Sequence, residues 1–187
     1  MDLISVLKNN NIAIVATDTL YGILGNAFNK ETVERIYDVK GRDENKPFIV
    51  LIPAIETVSQ FGATLTDDNK AFLEKYWPGP LTVILPISPE YQEQFSYLHR
   101  GTNELAFRLP AKQSLQELLR QTGPLVAPSA NPQGLSPAFT VEEAKNYFGD
   151  GIDYYQDEGR VEGLPSTIVR ISNGEITVIR QGSISIA

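Results

Sequence analysis

Three cationic side chains, Lys40, Arg42 and Lys46, fall within seven residues in the stretch VKGRDENKPFIV. Arginine can bind two phosphate oxygens at once, and lysine supplies a compact positive charge. The chain as a whole is acidic, with 16 Lys and Arg against 23 Asp and Glu and a formal net charge of −7. A cation cluster in such a chain indicates a local anion site, whereas composition alone favours a solvated loop that offsets Asp43 and Glu44.

Polar and cationic residues also follow several predicted strands. The segment TDTLYG follows the first strand, PSANPQG follows the strand LVAP, and RQG ends the last strand. Loops at strand ends are where α/β proteins commonly bind ligands. Taken singly, each segment is equally well explained as a polar loop, a turn or a solvated strand end.

Several kinds of chemistry are excluded by composition. The chain has no cysteine, which rules out disulfides, thiolate metal sites and a cysteine nucleophile. His99 is the single histidine, and its setting YLHRGTN predicts a surface side chain. Neither GxxxxGK[ST] nor GxGxxG occurs, so a bound nucleotide would need side chains from scattered loops.

The elements that must position these loops alternate along the chain. Apolar spacing and glycine stops predict helices over Leu3 to Asn9, Lys30 to Lys40, Asp67 to Tyr76, Ser114 to Gly123 and Val141 to Phe148. Short apolar runs predict strands over Ile12 to Ala16, Pro47 to Ile52, Leu81 to Pro86, Leu105 to Pro110 and Leu125 to Pro128. Such mixing predicts an α/β or α+β fold with a mixed sheet.

The C-terminal segment STIVRISNGEITVIRQG predicts a hairpin with a type I′ turn at Asn173-Gly174. Pairing outward from that turn sets Ile171 opposite Ile176, Val169 opposite Val178 and Thr167 opposite Arg180. This register would bring Ser166 and Arg180 to the same end of the sheet.

Length and composition predict one domain over residues 1–187, without an internal repeat. The N-terminus lacks the apolar core of a signal peptide, and no apolar run reaches the length of a membrane span. We therefore expect a cytoplasmic protein. The net charge of −7 argues against a broad nucleic-acid-binding surface.

Seven segments in order resemble the YrdC family, also called TsaC, the threonylcarbamoyl-AMP synthases. They are ATDTLYGILGNAF, KGRDENKPFIVLI, WPGPLTVIL, LAFRLP, LVAPSANPQG, PSTIVRI and VIRQG. The family signature pairs a KxR element with an SxN element, present here as Lys40-Gly41-Arg42 and Ser129-Ala130-Asn131. The resemblance extends from about Ile12 to Gly182 and corresponds to the short, single-domain form of the family.

The resemblance implies a twisted α/β sheet around a concave cleft and a specific reaction. Members make L-threonylcarbamoyl-AMP and pyrophosphate from L-threonine, bicarbonate and ATP, for the t6A37 modification of tRNA. It implies Mg²⁺ bound with ATP, no dedicated protein metal site, a downstream threonylcarbamoyl transferase complex and a weak tRNA contact, with no membrane association.

The resemblance also assigns residues. Catalytic roles would fall to Lys40, Arg42, Ser129 and Asn131. L-Threonine would contact Thr17, Arg108 and Ser166. ATP would contact Arg42, Lys46, Ser129, Asn131 and Arg180.

The chain departs from the family pattern in three places. Ala16 stands where proline is usual, GTNELAFR differs before Arg108, and LSPAFT displaces the usual serine, so Ser136 receives no role. Two alternatives stay open: a paralogue with another acyl-adenylate activity, and a module that binds double-stranded RNA or tRNA.

Overall fold

The fold is built on one twisted sheet, seen in a computed structural model that describes residues 2–43 and 45–186. Nine strands occur within those residues. They are β1 (Ala13–Ala16), β2 (Tyr21–Asn26), β3 (Ile49–Leu51), β4 (Leu81–Pro86), β5 (Glu104–Arg108), β6 (Leu125–Val126), β7 (Tyr154–Tyr155), β8 (Thr167–Ser172) and β9 (Glu175–Arg180). Their order across the sheet is β7-β1-β2-β6-β3-β5-β4-β8-β9.

The sheet is mixed, as the sequence predicts. The pairs β1–β7, β3–β5 and β4–β8 are parallel, and the remaining neighbours are antiparallel. Helical segments occupy the connections between parallel strands, as such connections require. The α/β class with a mixed sheet is thus confirmed.

Helices flank the sheet on both sides. In the described residues they are α1 (Leu3–Lys8), α2 (Lys30–Lys40), α3 (Asp67–Glu74), α4 (Pro89–Gln92), α5 (Ser96–His99), α6 (Gln113–Thr122) and α7 (Val141–Phe148), with 3₁₀ segments at Ile55–Phe61 and Gly149–Gly151. The α2 bounds match the prediction. Its N-cap Asn29 accepts a hydrogen bond from the Thr32 amide, and Gly41 ends it with φ 55°.

Alternation along the strands divides the buried residues between the two faces. On β1, Ile14 belongs to the larger core with α2 and α7, whereas Val15 belongs to the smaller core with α1 and α6. On β5 and β4, Phe107 and Val83 lie in the larger core. Their neighbours Ala106 and Ile84 face the other way and line a cleft. The cleft therefore lies on the α1/α6 face, over the strands that those helices leave uncovered.

Several element bounds differ from the prediction. The strands predicted at Pro47 and Leu125 are shorter, because their ends turn into the loops that border the cleft. The sequence interpretation missed β2, whose two glycines weaken a strand pattern. One of them, Gly25, is required by packing: a Cβ there would lie 2.5 Å from Thr32 and 2.8 Å from Ile36 of α2.

The C-terminal hairpin forms with Asn173-Gly174 in the turn, and both carry positive φ. The predicted partners Ile171–Ile176 and Val169–Val178 are confirmed. The predicted Thr167–Arg180 pair is wrong, since Arg180 pairs with Ile168 instead. A β-bulge inserts one extra residue on β9 between the Val169–Val178 pair and the Ile168–Arg180 pair. Because side chains alternate in direction, this shift places Arg180 on the face of Ile168, which lines the cleft.

Candidate functional site

The cleft has a volume of about 680 Å³ and gathers loops from distant parts of the chain. Of the nine residues assigned from the family resemblance, six line it: Thr17, Arg42, Arg108, Ser129, Ser166 and Arg180. The strands supply an apolar floor that includes Ile49, Ala106, Ile84 and Ile168. Polar groups around an apolar floor are typical of small-molecule sites.

Lys40 lies behind the cleft wall rather than in its lining. It is 3% exposed, and its ammonium donates to the carbonyl oxygen of Ser129 at 2.5 Å and to that of Asn131. Burial, with a smaller contribution from the Arg42 charge, lowers the pKa of Lys40 to about 7. Lys40 therefore supports the Ser129–Asn131 loop from below.

Arg42 reaches into the cleft from the loop after α2. Its Nε donates to the Lys46 carbonyl at 3.1 Å, and its Nη2 donates to the Pro47 carbonyl at 3.3 Å. No carboxylate among the described residues forms an ion pair with it. By contrast, the Lys46 ammonium is exposed, lies 3.8 Å from Asp43 and stays outside the cleft lining.

The Ser129–Asn131 loop is held together internally. The Ser129 hydroxyl donates to Asn131 Oδ1 at 2.6 Å, and the Asn131 amide nitrogen donates to the Leu135 carbonyl at 2.6 Å. The backbone of the loop pairs with β2 through Gly22 and Tyr21. Ser129 lines the cleft, whereas Asn131 fixes the shape of the loop behind it.

Arg108 is buried at the end of β5. Its Nη1 donates to the Thr19 hydroxyl at 3.0 Å, and its Nε donates to the Gly79 carbonyl at 3.3 Å. Its Nη2 lies 2.7 Å from Asp18 Oδ1, a charge contact outside hydrogen-bond geometry. Burial lowers the pKa of Arg108 and the Asp18 charge opposes this, so the guanidinium is desolvated but still charged.

Thr17 starts the loop that carries Asp18 and Thr19. Its hydroxyl donates to the Leu20 carbonyl at 2.6 Å and accepts from the amides of Thr19 and Leu20. These local bonds form a compact turn that presents Thr19 to Arg108. Thr17 thus shapes the loop as well as lining the cleft.

Ser166 and Arg180 are in contact at the β8–β9 end of the cleft. The Arg180 Nη2 donates to the Ser166 carbonyl at 2.8 Å. The Ser166 hydroxyl lies 2.8 Å from the Thr82 hydroxyl, and both residues are buried. The expected proximity of Ser166 and Arg180 is therefore found, although the register that produces it includes the bulge.

The charge of the cleft is opposite to that of the chain. Its described lining contains four arginines, Arg42, Arg108, Arg170 and Arg180, and one carboxylate, Glu104. Glu104 is committed to Arg170 at 3.0 Å. Arg42 and Arg180 are bonded only to carbonyl oxygens within the described residues, and burial lowers the pKa of each. A desolvated cation without a counter-charge is a favourable partner for an anionic ligand.

Sequence reasoning missed several polar residues of the site, among them Thr19, Glu104 and Arg170 in the lining and Asp18, which contacts Arg108. Asp18 and Thr19 lie within the TDT segment, which was read for Thr17 alone. Glu104 and Arg170 fall at alternate strand positions, on the same face as Ala106 and Ile168. Because side chains alternate between the two faces of a strand, the sequence could have predicted that both residues line the cleft.

His99 is not at the surface, contrary to expectation. It is 4% exposed, and its Nδ1 accepts hydrogen bonds from the amides of Gly101 and Asn103. Its Nε2 therefore carries the proton, which it donates to the Gln92 carbonyl at 2.7 Å. This histidine organises the loop before β5 and is not itself part of the cleft lining, although its carbonyl oxygen accepts hydrogen bonds from the amide and the hydroxyl of the lining residue Thr102.

Two further properties bear on the kind of site. Within residues 2–43 and 45–186, no group of three or more His, Cys, Asp or Glu side chains could hold a metal ion. In the same ranges, no helix has the length and apolar character needed to cross a bilayer.

Comparison with known proteins identifies the family. A Sua5/YciO/YrdC family model, described as telomere recombination, matches residues 5–182. A Hahella chejuensis protein named threonylcarbamoyl-AMP synthase is 32% identical over 177 residues, 92% of this chain and 94% of that protein. A Bacillus subtilis protein of the same name is 30% identical over 97% of this chain and 52% of its own length.

A solved structure shares the fold. Pyrococcus abyssi Sua5 complexed with L-threonine superimposes with a TM-score of 0.85 at 26% identity, over 96% of this chain and 52% of that one. The chain spans about half of this longer relative. On the family match and the identities together, this chain belongs to the Sua5/YciO/YrdC family.

Proposed function

We propose that the chain is an L-threonylcarbamoyladenylate synthase, a nucleotidyltransferase that makes threonylcarbamoyl-AMP and pyrophosphate from L-threonine, bicarbonate and ATP. One observation carries the proposal most directly. An acidic chain places four arginines around one cleft, and two of them, Arg42 and Arg180, lack a carboxylate partner among the described residues. Family membership and the names of the relatives support the same reaction.

The reaction balances in two steps. The threonine amine and bicarbonate combine to give N-carboxy-threonine and water. A carboxylate oxygen of this carbamate then attacks the α-phosphorus of ATP, the bond to the β-phosphate oxygen breaks, and pyrophosphate leaves. No protein nucleophile is needed, so the absence of cysteine and the buried role of His99 are compatible with the chemistry.

In this proposal the residues bind, orient and stabilise charge. Arg108 pairs with the threonine carboxylate, and Ser166 and Thr17 contact the rest of that substrate. Arg42, Arg180 and Ser129 contact the nucleotide, with Lys46 reaching it from the exposed loop. Lys40 and Asn131 act by holding the Ser129 loop. Fixed cations that need no rearrangement stabilise the charge that develops during phosphoryl transfer.

Mg²⁺ enters this proposal as part of the substrate MgATP. Glu104 is the one carboxylate among the described residues that line the cleft, and its side chain is paired with Arg170. Oxygen ligands for Mg²⁺ would come chiefly from the phosphates and water, which is the usual mode for such substrates.

The chemistry of the product indicates which kind of enzyme would use it next. An acyl-adenylate is reactive, so a transferase complex would take it directly for t6A37 formation on tRNA. The proposal includes a cytoplasmic location. It also includes only a weak contact with tRNA, because a net charge of −7 disfavours a broad phosphate-binding surface.

The test is a reaction of the pure protein with MgATP, bicarbonate and L-threonine, analysed for pyrophosphate and by mass spectrometry for threonylcarbamoyl-AMP. We expect product only when all three substrates are present. Absence of product from the complete mixture would overturn the proposal.

A further inference from the structure

A pair of stacked aromatic rings packs against Arg42, and the Phe48 ring of this pair also lines the cleft. The rings of Tyr37 and Phe48 have centroids 4.0 Å apart at an interplanar angle of 19°. The Arg42 guanidinium carbon lies 5.2 Å from the Phe48 centroid. At the other end, the Arg100 guanidinium carbon lies 4.0 Å from the Tyr37 centroid. We call this set, Arg100-Tyr37-Phe48-Arg42, the aromatic stack.

A second contact links the stack to Arg42 through the backbone. The Lys46 carbonyl oxygen accepts a hydrogen bond from the Tyr37 hydroxyl at 3.0 Å and another from Arg42 Nε at 3.1 Å. The Arg42 amide also donates to the Tyr37 carbonyl at 3.1 Å. The Tyr37 hydroxyl thus holds the Lys46 carbonyl in place, and this carbonyl in turn holds the Nε edge of the Arg42 guanidinium. Phe48 supports the face of the same guanidinium.

The far end of the stack is anchored as well. Arg100 pairs with Glu34 at 2.6 Å, and its side chain is 12% exposed. Tyr37 belongs to α2 and Phe48 directly precedes β3, so both rings stand on elements that are themselves packed in the larger core. The support for Arg42 is therefore rigid, although Arg42 itself lies on a loop.

We propose that Tyr37 and Phe48 are positioning residues for the nucleotide, holding Arg42 with its free donors directed to the cleft before ATP arrives. An unsupported loop arginine would lose side-chain rotamer entropy on binding an anion. A supported one has already lost much of it, so binding is tighter. This inference rests on the proposed function, since it takes ATP as the anion.

The experiment measures MgATP and L-threonine affinity by calorimetry for Phe48→Leu and Tyr37→Phe. Phe48→Leu removes a cation–π contact and Tyr37→Phe removes a hydrogen bond to the Lys46 carbonyl. Each contact is worth about 0.5 to 2 kcal/mol, so we expect roughly two- to thirtyfold weaker MgATP binding. Threonine affinity should stay within about twofold. The matched control is Phe148→Leu, a buried phenylalanine of α7 outside the cleft lining.

A double-mutant comparison separates positioning from general packing. In an Arg42→Ala background, Phe48→Leu should cause no further loss of MgATP affinity, because its effect passes through Arg42. Tyr37→Phe keeps the ring pair, so it reports on the hydroxyl even where Phe48→Leu lowers stability.

The outcomes are distinguishable. If the wild-type protein binds MgATP and both single variants bind it equally well, the positioning role is overturned while the proposed function stands. Equal losses of MgATP and threonine affinity, or a further loss in the Arg42→Ala background, would overturn it too. If the wild-type protein does not bind MgATP, the proposed function and this inference both fail.

Discussion

The ammonium group of Lys40 lies beneath the loop that carries Ser129 and donates to its carbonyl oxygen at 2.5 Å. The two residues are 89 positions apart, and the same ammonium also reaches the Asn131 carbonyl. The two signature elements of the family are therefore in direct contact. Their pairing has a structural cause, because the lysine of one element supports the backbone of the other.

Replacing Lys40 by methionine should weaken both fold and function. The substitution leaves buried carbonyl oxygens without a donor, which costs about 1 to 3 kcal/mol. We expect a fall of that size in the free energy of unfolding by denaturant titration, together with loss of turnover. Lys46→Met is the control, because its side chain is 58% exposed and its removal should change stability by less than about 0.5 kcal/mol. Equal losses in the free energy of unfolding for the two variants would contradict the supporting role.

The pH dependence of stability should reveal the burial of Lys40. Burial lowers the pKa of Lys40 to about 7 from the ordinary lysine value of 10.5, so between these values the folded chain binds fewer protons than the unfolded chain. Stability then rises with pH in that window, by on the order of 1 kcal/mol per unit, and the cost of the buried charge is fully present below pH 7. The slope is measured as the difference between wild type and Lys40→Met across pH 6 to about 10. A flat difference would mean that the carbonyl oxygens keep the ammonium charged throughout.

The sequence contains enough information to predict that Lys40 is buried, but it does not identify the loop that Lys40 contacts. Val33, Ile36 and Tyr37 were read as the buried stripe of α2, and Lys40 continues that stripe at i+7 from Val33. Periodicity could therefore have predicted a buried lysine. The loop at Ser129 that receives its ammonium arrives only through the tertiary fold, which no local pattern specifies.

The C-terminal hairpin could also be predicted from the sequence only in part. The turn and two cross-strand pairs follow from Asn173-Gly174, whose preference for positive φ is local chemistry. The bulge before Arg180 lies between the Val169–Val178 and Ile168–Arg180 pairs, and no local sequence pattern marks it. The family resemblance named Arg180 as a cleft residue, and the bulge is the physical means by which its side chain reaches that face.

Arg42→Ala should remove a phosphate contact without unfolding the protein. A hydrogen bond to a charged group contributes about 1.5 to 3 kcal/mol, so kcat/KM for ATP should fall roughly ten- to hundredfold or more. Arg120→Ala is the control, since that arginine is half exposed on α6 and pairs with Glu117 and Gln116 of its own helix. Steady-state kinetics and thermal unfolding give the comparison. If the Arg42→Ala variant keeps the wild-type kcat/KM, Arg42 stabilises its loop and does not contact the nucleotide.

Ser166→Ala should separate the two substrates. The change removes a hydroxyl that lies 2.8 Å from Thr82, but it keeps the backbone carbonyl that holds Arg180. We expect the KM for L-threonine to rise about three- to tenfold while the KM for ATP stays unchanged. Ser172→Ala, at the far end of the strand that begins directly after Ser166, should alter neither. A rise in the ATP KM alone would place Ser166 in the nucleotide site instead.

The most direct test of the central claim follows the carbon of bicarbonate. The wild-type protein is incubated with MgATP, ¹³C-bicarbonate and either L-threonine, L-serine or glycine, and the products are resolved by mass spectrometry. The account predicts threonylcarbamoyl-AMP carrying one labelled carbon, one pyrophosphate released per product, and much lower yields with serine and glycine. Pyrophosphate release without labelled product, or equal yields from the three amino acids, would contradict it.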